Sequence, residues 1–353
     1  MADINTTLND VFKLTPLGNT DSPIGTVLYG INHRQTPNQV PINKDLYGLT
    51  FITRPQLNLS TANLRAMREL IPLLTTNHTS IPAMIRGYLD PRLNNPCPVM
   101  DQKSAFIPLL SNHMLSCAGW PDPYVDVHTS KQGVYREVHS MVDSTIDRFQ
   151  AYDISCSFRN MIGDPITEMM RVWTIYMTEV FKGNMTPYPD FIAYNEIDYN
   201  CRIYRLVLDR SKRFVQKIAC TGASFPKNTP IGQAFDFQHD KVINPNNDQI
   251  TIQFQSNGYR YQDTIITYDF NQVVGLFNPD MKEELVNKKT GEFPNMVKLL
   301  PSELQLFNNR GYPRINEDTM ELCWYVTKQE YISTIGAYNR TIAAINKTPN
   351  RPF

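Results

Sequence analysis

The chain has 353 residues, and its 34 Lys and Arg balance its 34 Asp and Glu, so that the formal net charge is zero. This balance argues against electrostatic adhesion to nucleic acid or to an anionic membrane as the main role. The length exceeds the size at which one core usually stops growing, which predicts two lobes or one core with long extensions.

The sequence carries no signal for secretion or for a membrane anchor. The stretch MADINTTLNDVFKLTP, at the start, lacks the basic and apolar regions of a signal peptide. No stretch approaches the roughly 18 apolar residues of a membrane span. The cysteines show no CxxC spacing and are expected to be small buried residues in a reducing compartment: Cys97, Cys117, Cys156, Cys201, Cys220 and Cys323.

The first part of the chain shows few periodic signals. Pro- and Asn-rich stretches up to residue 47 predict an extended arm. A short strand around Phe51 and then a helix that begins near Ser60 are predicted next. Clusters of Pro, Asn and Asp predict loops with short helical turns over 75–135, and residues 136–149 are predicted to form a further short helix.

The clearest signal begins at residue 150. Apolar residues alternate with polar ones, which predicts a half-buried strand: Tyr152, Ile154, Cys156 and Phe158. Asp164 and Pro165 then predict a helix start, with the aspartate as N-cap and the proline in the first turn. One wide apolar face follows, which is expected to pack on a sheet rather than to hold a cofactor or lipid: Ile166, Met169, Met170, Trp173, Tyr176, Met177, Val180 and Phe181.

Several strands are predicted after this helix. Candidates are residues 203–208, 214–219 and a short strand over 234–238. A two-faced strand contains Ile250, Ile252 and Phe254, and residues 259–270 are expected to pair back on it after a turn. The predicted class is therefore α+β, an antiparallel β-sandwich or half-barrel with one flanking amphipathic helix.

The pattern loosens again near the C-terminus. KEELVNKKTGEF predicts a short polar helix, and ELCWYVTKQEYISTIGAY has mixed apolar spacing. The chain is thus predicted to have four segments: an extended N-terminal arm (1–47), a helical and loop-rich insertion or docking region (48–149), the α+β domain (150–275) and a C-terminal extension (276–353).

No constellation of catalytic, cofactor-binding or metal-ligating residues is predicted. The histidines form no HExxH or HxH pair. Asp122, Asp126 and His128 could meet a cation, although a Pro-bounded turn explains them better. His113 precedes Cys117 by four residues, but a Cys–His nucleophile needs a third orienting group and a cleft.

Basic residues cluster within one short stretch of the predicted strands: Arg202, Arg205, Arg210, Lys212, Arg213 and Lys217. Alternation along strands divides them between two faces, so that a continuous nucleic-acid track is not implied. They are interpreted as ion pairs at subunit interfaces and a solvated hairpin, or as a positive rim that faces a polymer or an acidic neighbour.

Five sequence elements together resemble one protein family. They are YDISCSFR, the helix PITEMMRVWTIYMTEVF, the loop FPKNTPIG, the strand DQITIQFQ and the N-terminal stretch DLYGLTFITRPQLNLSTANLRAMREL. Their order resembles the tube domain of contractile phage tails, and most closely the baseplate tube-initiator proteins of T-even-like phages. The sequence as a whole also resembles unassigned virion proteins of very large phages.

The resemblance implies a mechanical role without a cofactor, in a virion tail made in the host cytoplasm. A hexameric ring would surround a channel through which DNA passes without specific binding. Its neighbours would be tube, sheath or baseplate proteins. Edge-to-edge strand pairing would close the ring, with these candidate interface residues: Tyr152, Ile154, Cys156, Phe158, Ile250, Ile252 and Phe254.

Other roles remain open at this point. Within the same class, the chain could be the main tube subunit or a neck or terminator component. A soluble polymer-binding module would show an exposed aromatic groove near Tyr259 and Tyr261. An unrecognised enzyme would show a pocket that brings together two or more of these residues: His113, Cys117, Asp126, His128 and His139.

Overall fold

The apolar–polar alternation of residues 151–159 becomes a strand of a six-stranded sheet in the computed structural model. Every strand of this main sheet is antiparallel to its neighbours. In spatial order the strands are β1 (Tyr47–Ile52), β6 (Ile203–Leu208), β7 (Val215–Pro226), β8 (Gln249–Tyr261), β5 (Ala151–Arg159) and β2 (Met114–Ala118). The structure describes residues 47–93, 97–235, 239, 248–287, 291–308 and 310–347, so the predicted arm lies outside the described residues except for Tyr47.

The main sheet is open, with β1 and β2 as its two edges. The amide of Ile107 donates to the carbonyl of Ile52 at 3.0 Å, and Thr53 forms an isolated bridge with Phe106. The segment that leads into β2 therefore contacts the end of β1, although the two edge strands do not pair. The predicted α+β class with antiparallel strands is confirmed, and the sheet is not a closed barrel.

Two long helices pack against the main sheet. They are α4 (Pro165–Phe181) and α7 (Thr264–Phe277). Neighbouring residues of one strand point to opposite faces, and Ile203 belongs to the core that contains α4, whereas Tyr204 belongs to the core that contains α7. The sheet is therefore covered on both faces, whereas the sequence predicted one flanking helix.

Helix α4 buries most of its predicted apolar face. Ile166, Met169, Met170, Trp173 and Tyr176 are fully buried, while Met177 and Val180 are half-buried. Phe181 is the exception, since 91% of its surface is exposed. The buried face includes Val172 and Glu179 instead, and Phe181 is the last residue of the helix. Asp164 takes the N-cap position, but its side chain accepts from Asn160 Nδ2 at 2.6 Å and does not cap the helix.

Helix α7 lies where the sequence predicted a returning strand. Strand β8 runs through Asn257 and Gly258 without turning and ends at Tyr261. The side chain of Asp263 then accepts from the amide of Ile265 at 3.1 Å and caps the helix. Buried residues recur at four-residue steps along it: Ile266, Phe270 and Val274. The predicted strand over 259–270 is therefore wrong beyond Tyr261.

The segment between β1 and β5 is more regular than predicted. Its helices are α1 (Thr61–Ala66), a 3-10 helix (Arg68–Leu74), α2 (Ile81–Leu89) and α3 (Pro108–His113). The predicted helix over 136–149 is wrong, because this stretch contains the short strand β4 (Ser140–Val142), which pairs with β3 (Val127–Thr129). The prediction of loops over 75–135 also missed strand β2.

A second, three-stranded sheet and a long helix end the described chain. The elements are β9 (Met296–Lys298), β10 (Tyr312–Ile315), β11 (Leu322–Thr327) and α8 (Lys328–Lys347). Their backbone joins the main sheet, because the amide of Val215 donates to Met320 and the amide of Leu322 donates to Arg213, both at 2.8 Å. The polar helix predicted in KEELVNKKTGEF is wrong, because the described residues of this stretch form turns and an isolated bridge between Asn287 and Glu292.

Two short helices, α5 (Pro189–Tyr194) and α6 (Gly232–Phe235), and a second 3-10 helix (Pro279–Met281) lie elsewhere in the described chain. The strand predicted over 234–238 is wrong for Ala234 and Phe235, which are helical, and its other residues lie outside the described chain. In the part of the chain that the structure describes, no helix combines the length and apolarity needed to cross a membrane.

Candidate assembly surfaces

A protruding two-stranded ribbon, residues 120–149, connects β2 to β5. Strands β3 and β4 pair within it, with Val127 opposite Val142 and His128 opposite Met141. The amide of Ser130 donates to the carbonyl of His139 at 2.8 Å and continues the pairing towards the tip. Almost every residue of the ribbon is exposed. A lone pair of strands is marginally stable in water, which favours a partner for this segment.

The exposed residues of the ribbon include many large apolar side chains: Tyr124, Val125, Val127, Val134, Tyr135, Val138, Met141, Val142, Ile146 and Phe149. Val134 and Tyr135 expose 93% and 91% of their surface. Soluble monomers rarely expose contiguous apolar surface of this kind, and such surface marks interaction sites. The ribbon is therefore the strongest candidate for contact with another chain.

The base of the ribbon is anchored on strand β8. The hydroxyl of Tyr261 donates to the carbonyl of Pro121 at 2.7 Å, and the ring of Trp120 lies 6.1 Å from the ring of Tyr261. On the return side, the amide of Tyr259 donates to the carbonyl of Arg148 at 3.0 Å. Burial raises the pKa of Tyr261 to about 12, so this phenol stays protonated and continues to donate at neutral pH. The ribbon thus leaves the fold from a fixed base.

A groove of about 170 Å³ lies beside this base and is lined by Pro123, Ile146, Arg148, Tyr259, Arg260, Tyr261 and Asp263. The hydroxyl of Tyr259 is buried and has no hydrogen-bond partner among the described residues. Only 4% of the surface of Tyr259 is exposed, and Tyr261 is half-buried. These two residues therefore do not form the exposed aromatic groove expected of a polymer-binding module.

The strands predicted to form a ring interface are internal strands of the sheet. Strand β5 pairs with both β2 and β8, and β8 pairs with both β5 and β7. Their apolar side chains, including Ile154 and Phe254, are fully buried in the core with α4, and Tyr152 packs against that core. Because their backbone groups already have partners, these two strands are not free to pair edge to edge with another chain.

Two arginines of the predicted basic rim are neutralised by carboxylates of the same chain. Arg202 forms an ion pair with Asp269, and Arg213 forms one with Glu321 at 2.6 Å. Arg205 donates a hydrogen bond to Thr50 Oγ1 at 2.8 Å, and the Lys212 ammonium lies 4.4 Å from the ring centroid of Tyr47. Lys217 is exposed on β7, and Arg210 is exposed in the turn after β6. These contacts favour local ion pairs over a continuous positive rim.

The candidate enzyme residues are not gathered into one site. His113 Nδ1 lies 3.0 Å from the carbonyl oxygen of Leu109, and Cys117 contacts Cys156. Asp122, Asp126, His128 and His139 all lie on the exposed ribbon. A second cavity of about 170 Å³ lies beside the ion pair between the buried Arg314 and the half-buried Glu283. None of the candidate enzyme residues lines this cavity or the groove at the ribbon base. Within the described ranges, no three His, Cys, Asp or Glu side chains are placed to hold a metal ion.

A family model described as "Putative phage tail tube protein" matches residues 2–339. The chain belongs to this family. It is a structural component of the virion tail, and the predicted resemblance to tail-tube proteins is confirmed. The narrower resemblance to baseplate tube initiators stays a prediction. No curated protein matches the chain by sequence.

Three solved structures show a distant likeness to the chain. The anti-feeding prophage cap (the AFP tube terminating cap) shares 15% identity over 45% of this chain and 82% of that chain, with a TM-score of 0.27. The PVC sheath/tube terminator, from an extracellular contractile injection system, shares 12% identity over 45% and 87%, with a TM-score of 0.25. The PVC sheath-tube complex shares 13% identity over 45% and 82%, with a TM-score of 0.25. TM-scores this low do not support any conclusion about the role of this chain.

Proposed function

We propose that copies of this chain assemble into a six-fold ring of the tail tube, at the baseplate end, where the ring initiates tube assembly. Membership of the tail-tube family supports a structural rather than a catalytic role. The two cavities described above are lined by none of the candidate enzyme residues, which supports the same role. The ring would sit among tube, sheath or baseplate proteins and surround the path of the DNA.

The observation that carries the proposal is the exposed apolar ribbon. It projects from the edge strand β2, so a neighbouring copy that meets this edge of the sheet also meets the base of the ribbon. Covering side chains such as Val134, Tyr135 and Phe149 would remove a large apolar area from water. We therefore assign a second copy of the chain as the partner of the ribbon.

The charge distribution supports a channel that does not grip DNA. The net charge is zero, and two arginines of the basic cluster, Arg202 and Arg213, are paired with carboxylates. Tight non-specific binding to DNA needs many cations that are free to contact phosphates. A ring subunit with this surface would let the polymer slide.

Cryo-electron microscopy of the particle tests the position of the chain. We expect one or two six-fold rings at the baseplate end of the tube. Rings repeated along the whole tail would identify the main tube subunit, and rings at the opposite end would identify a neck or terminator component. Absence of the chain from every tube would overturn the proposal.

A further inference from the structure

Two of the six free cysteines lie side by side on neighbouring strands. Cys117 of β2 stands directly opposite Cys156 of β5, and their sulfur atoms are 3.8 Å apart. Directly opposed residues of antiparallel strands have Cα atoms about 4.5–5.5 Å apart, which lies within the range that a disulfide spans. The backbone is therefore already in register for a bond between the two sulfurs.

A bulge in β2 produces this pairing. Met114 stands opposite Phe158, but Ser116 stands opposite Ser157, so that one extra residue, Leu115, is accommodated between them. Without the bulge, the register set by Met114 would place Cys117 opposite Ser155, whose side chain points to the other face of β5. The irregularity in the edge strand is therefore what brings the two thiols together.

The two thiols are unequal in a way that suits stepwise oxidation. Cys117 is half-buried and accepts a hydrogen bond from the Cys156 thiol, which lowers the pKa of Cys117, with a further lowering contribution from Trp120. Cys156 is fully buried, and its pKa is raised well above the usual value by its interaction with Cys117 and by burial. Cys117 is thus the more accessible and more easily ionised sulfur.

We propose that Cys117 and Cys156 are a disulfide-forming pair whose oxidant is a small-molecule disulfide. The Cys117 thiolate attacks one sulfur of the oxidant, which forms a mixed disulfide and releases one thiolate. Cys156 loses its proton and attacks the Cys117 sulfur, which forms the protein disulfide and releases the second thiolate. Two cysteine thiols are oxidised, one small disulfide is reduced to two thiols, and the released thiolates take up the protons.

The bond would fasten the edge strand that carries the ribbon. Among the described strands, β2 pairs with β5 alone in the main sheet, and the ribbon starts two residues after its last residue, Ala118. Thiol buffers inside a cell keep such a pair reduced, whereas a released particle meets an oxidising medium. The ribbon base would therefore become covalently held after the particle leaves the cell.

The test uses the purified full-length chain and oxidised glutathione. Titration of thiols in denaturant should show that two of the six are lost. Peptide mapping without reductant should recover one cross-linked species that joins Cys117 to Cys156. Amide hydrogen exchange over 114–118 should slow in the oxidised protein relative to the reduced one. The reaction needs no ring, so its failure is distinguishable from failure of the proposed assembly.

Substitutions separate this pair from the other cysteines. Cys117→Ser should abolish the cross-link, whereas Cys201→Ser, at a fully buried cysteine, should leave it unchanged. Stable glutathione on Cys117 without a cross-link, a bond to another cysteine, or no thiol loss in the wild-type chain would each overturn the proposal. The wild-type map decides the question even where a variant fails to fold.

Discussion

The hydroxyl of Tyr176 donates a hydrogen bond to the carboxylate of Asp198 inside the core that contains α4. Both residues are buried, and the amide of Asn58 in turn donates to the Tyr176 oxygen at 3.1 Å. One phenol therefore joins the helix to the segment after β1 and to the segment before β6. Side-chain hydrogen bonds of this kind hold together segments that are distant in the sequence.

Tyr176→Phe is expected to destabilise the protein by about 1–3 kcal/mol, because it leaves the Asp198 carboxylate and the Asn58 amide buried without this partner. The free energy of unfolding in denaturant measures the loss. Tyr194→Phe is the matched control, since Tyr194 is 76% exposed and the change there should cost little. If Tyr176→Phe lowers the free energy of unfolding no more than Tyr194→Phe does, the buried hydroxyl does not stabilise the fold.

The buried carboxyl of Asp198 predicts an unusual pH dependence. Burial raises the pKa of Asp198 in the folded state. Its contribution to stability is therefore present below the unfolded pKa of about 3.9 and is lost as the pH rises through the folded-state pKa. Asp198→Asn removes this titration, so the stability of the variant relative to wild type should increase as the pH rises above about 4.

Asp190 provides a control, because its pKa is shifted in the opposite direction to that of Asp198. Its pKa is lowered by a hydrogen bond from Arg92, so its contribution is present above the unfolded pKa and is lost as the pH falls through the folded-state pKa. Asp190→Asn should therefore show a stability, relative to wild type, that decreases with rising pH, in a window below the unfolded pKa of about 3.9. Thermal unfolding across the pH range measures both slopes, and two slopes of equal sign would contradict the assignment.

Gly119→Ala is expected to weaken the base of the ribbon. Gly119 has a φ of +103°, and a Cβ there would overlap the carbonyl oxygen of Asp153 on β5. The expected cost is about 1–3 kcal/mol, together with faster amide exchange over β2. Gly336→Ala, in helix α8 with open space around the glycine, should instead stabilise the protein by about 0.5–1 kcal/mol.

Substitution of the apolar tip of the ribbon should affect assembly without affecting the fold. The double variant Val134→Ser, Tyr135→Ser changes two almost fully exposed residues, so the unfolding midpoint should stay close to that of wild type. Self-association, measured by analytical ultracentrifugation, should weaken. The control variant Ile162→Ser, Phe181→Ser removes comparably exposed apolar surface elsewhere. Equal losses in both variants would argue against a specific role for the ribbon.

The central strand–helix unit was predictable because its signals are local. Strand β5 alternates over nine residues, and α4 repeats its apolar residues over seventeen residues after Asp164-Pro165. Helix α7 was missed although a signal existed: Asp263 precedes an apolar series with helical spacing, which begins at Ile266 and continues at Phe270. The alternation of the preceding strand obscured this change of period.

The strand pairing could not be predicted in the same way. Leu49 of β1 lies opposite Leu206 of β6, and no local pattern identifies a partner so far along the chain. The exclusion of β5 and β8 from the sheet edges depends on such distant pairings. The Cys117–Cys156 contact also depends on a one-residue bulge, which changes which residues face each other without leaving a mark in the composition.

The exposed ribbon illustrates a further limit of sequence reasoning. Its residues up to 135 belong to a stretch whose Pro, Asn and Asp residues predict loops, and residues 136–149 predict a short helix. Residues such as Val127 and Met141 look like core residues until the paired strands are seen to stand away from the sheet. Apolar composition predicts that a residue will be covered, but not which chain covers it.

The two backbone hydrogen bonds that join the sheets restrict how this chain can be shortened. Val215 of the main sheet donates to Met320, and Leu322 donates back to Arg213. A chain that stops at Gly311 would leave the first amide of β7 unpaired and uncover the core side chains that pack against Ile315 and Tyr325. A truncated version that keeps the main sheet intact therefore has to extend through Thr327.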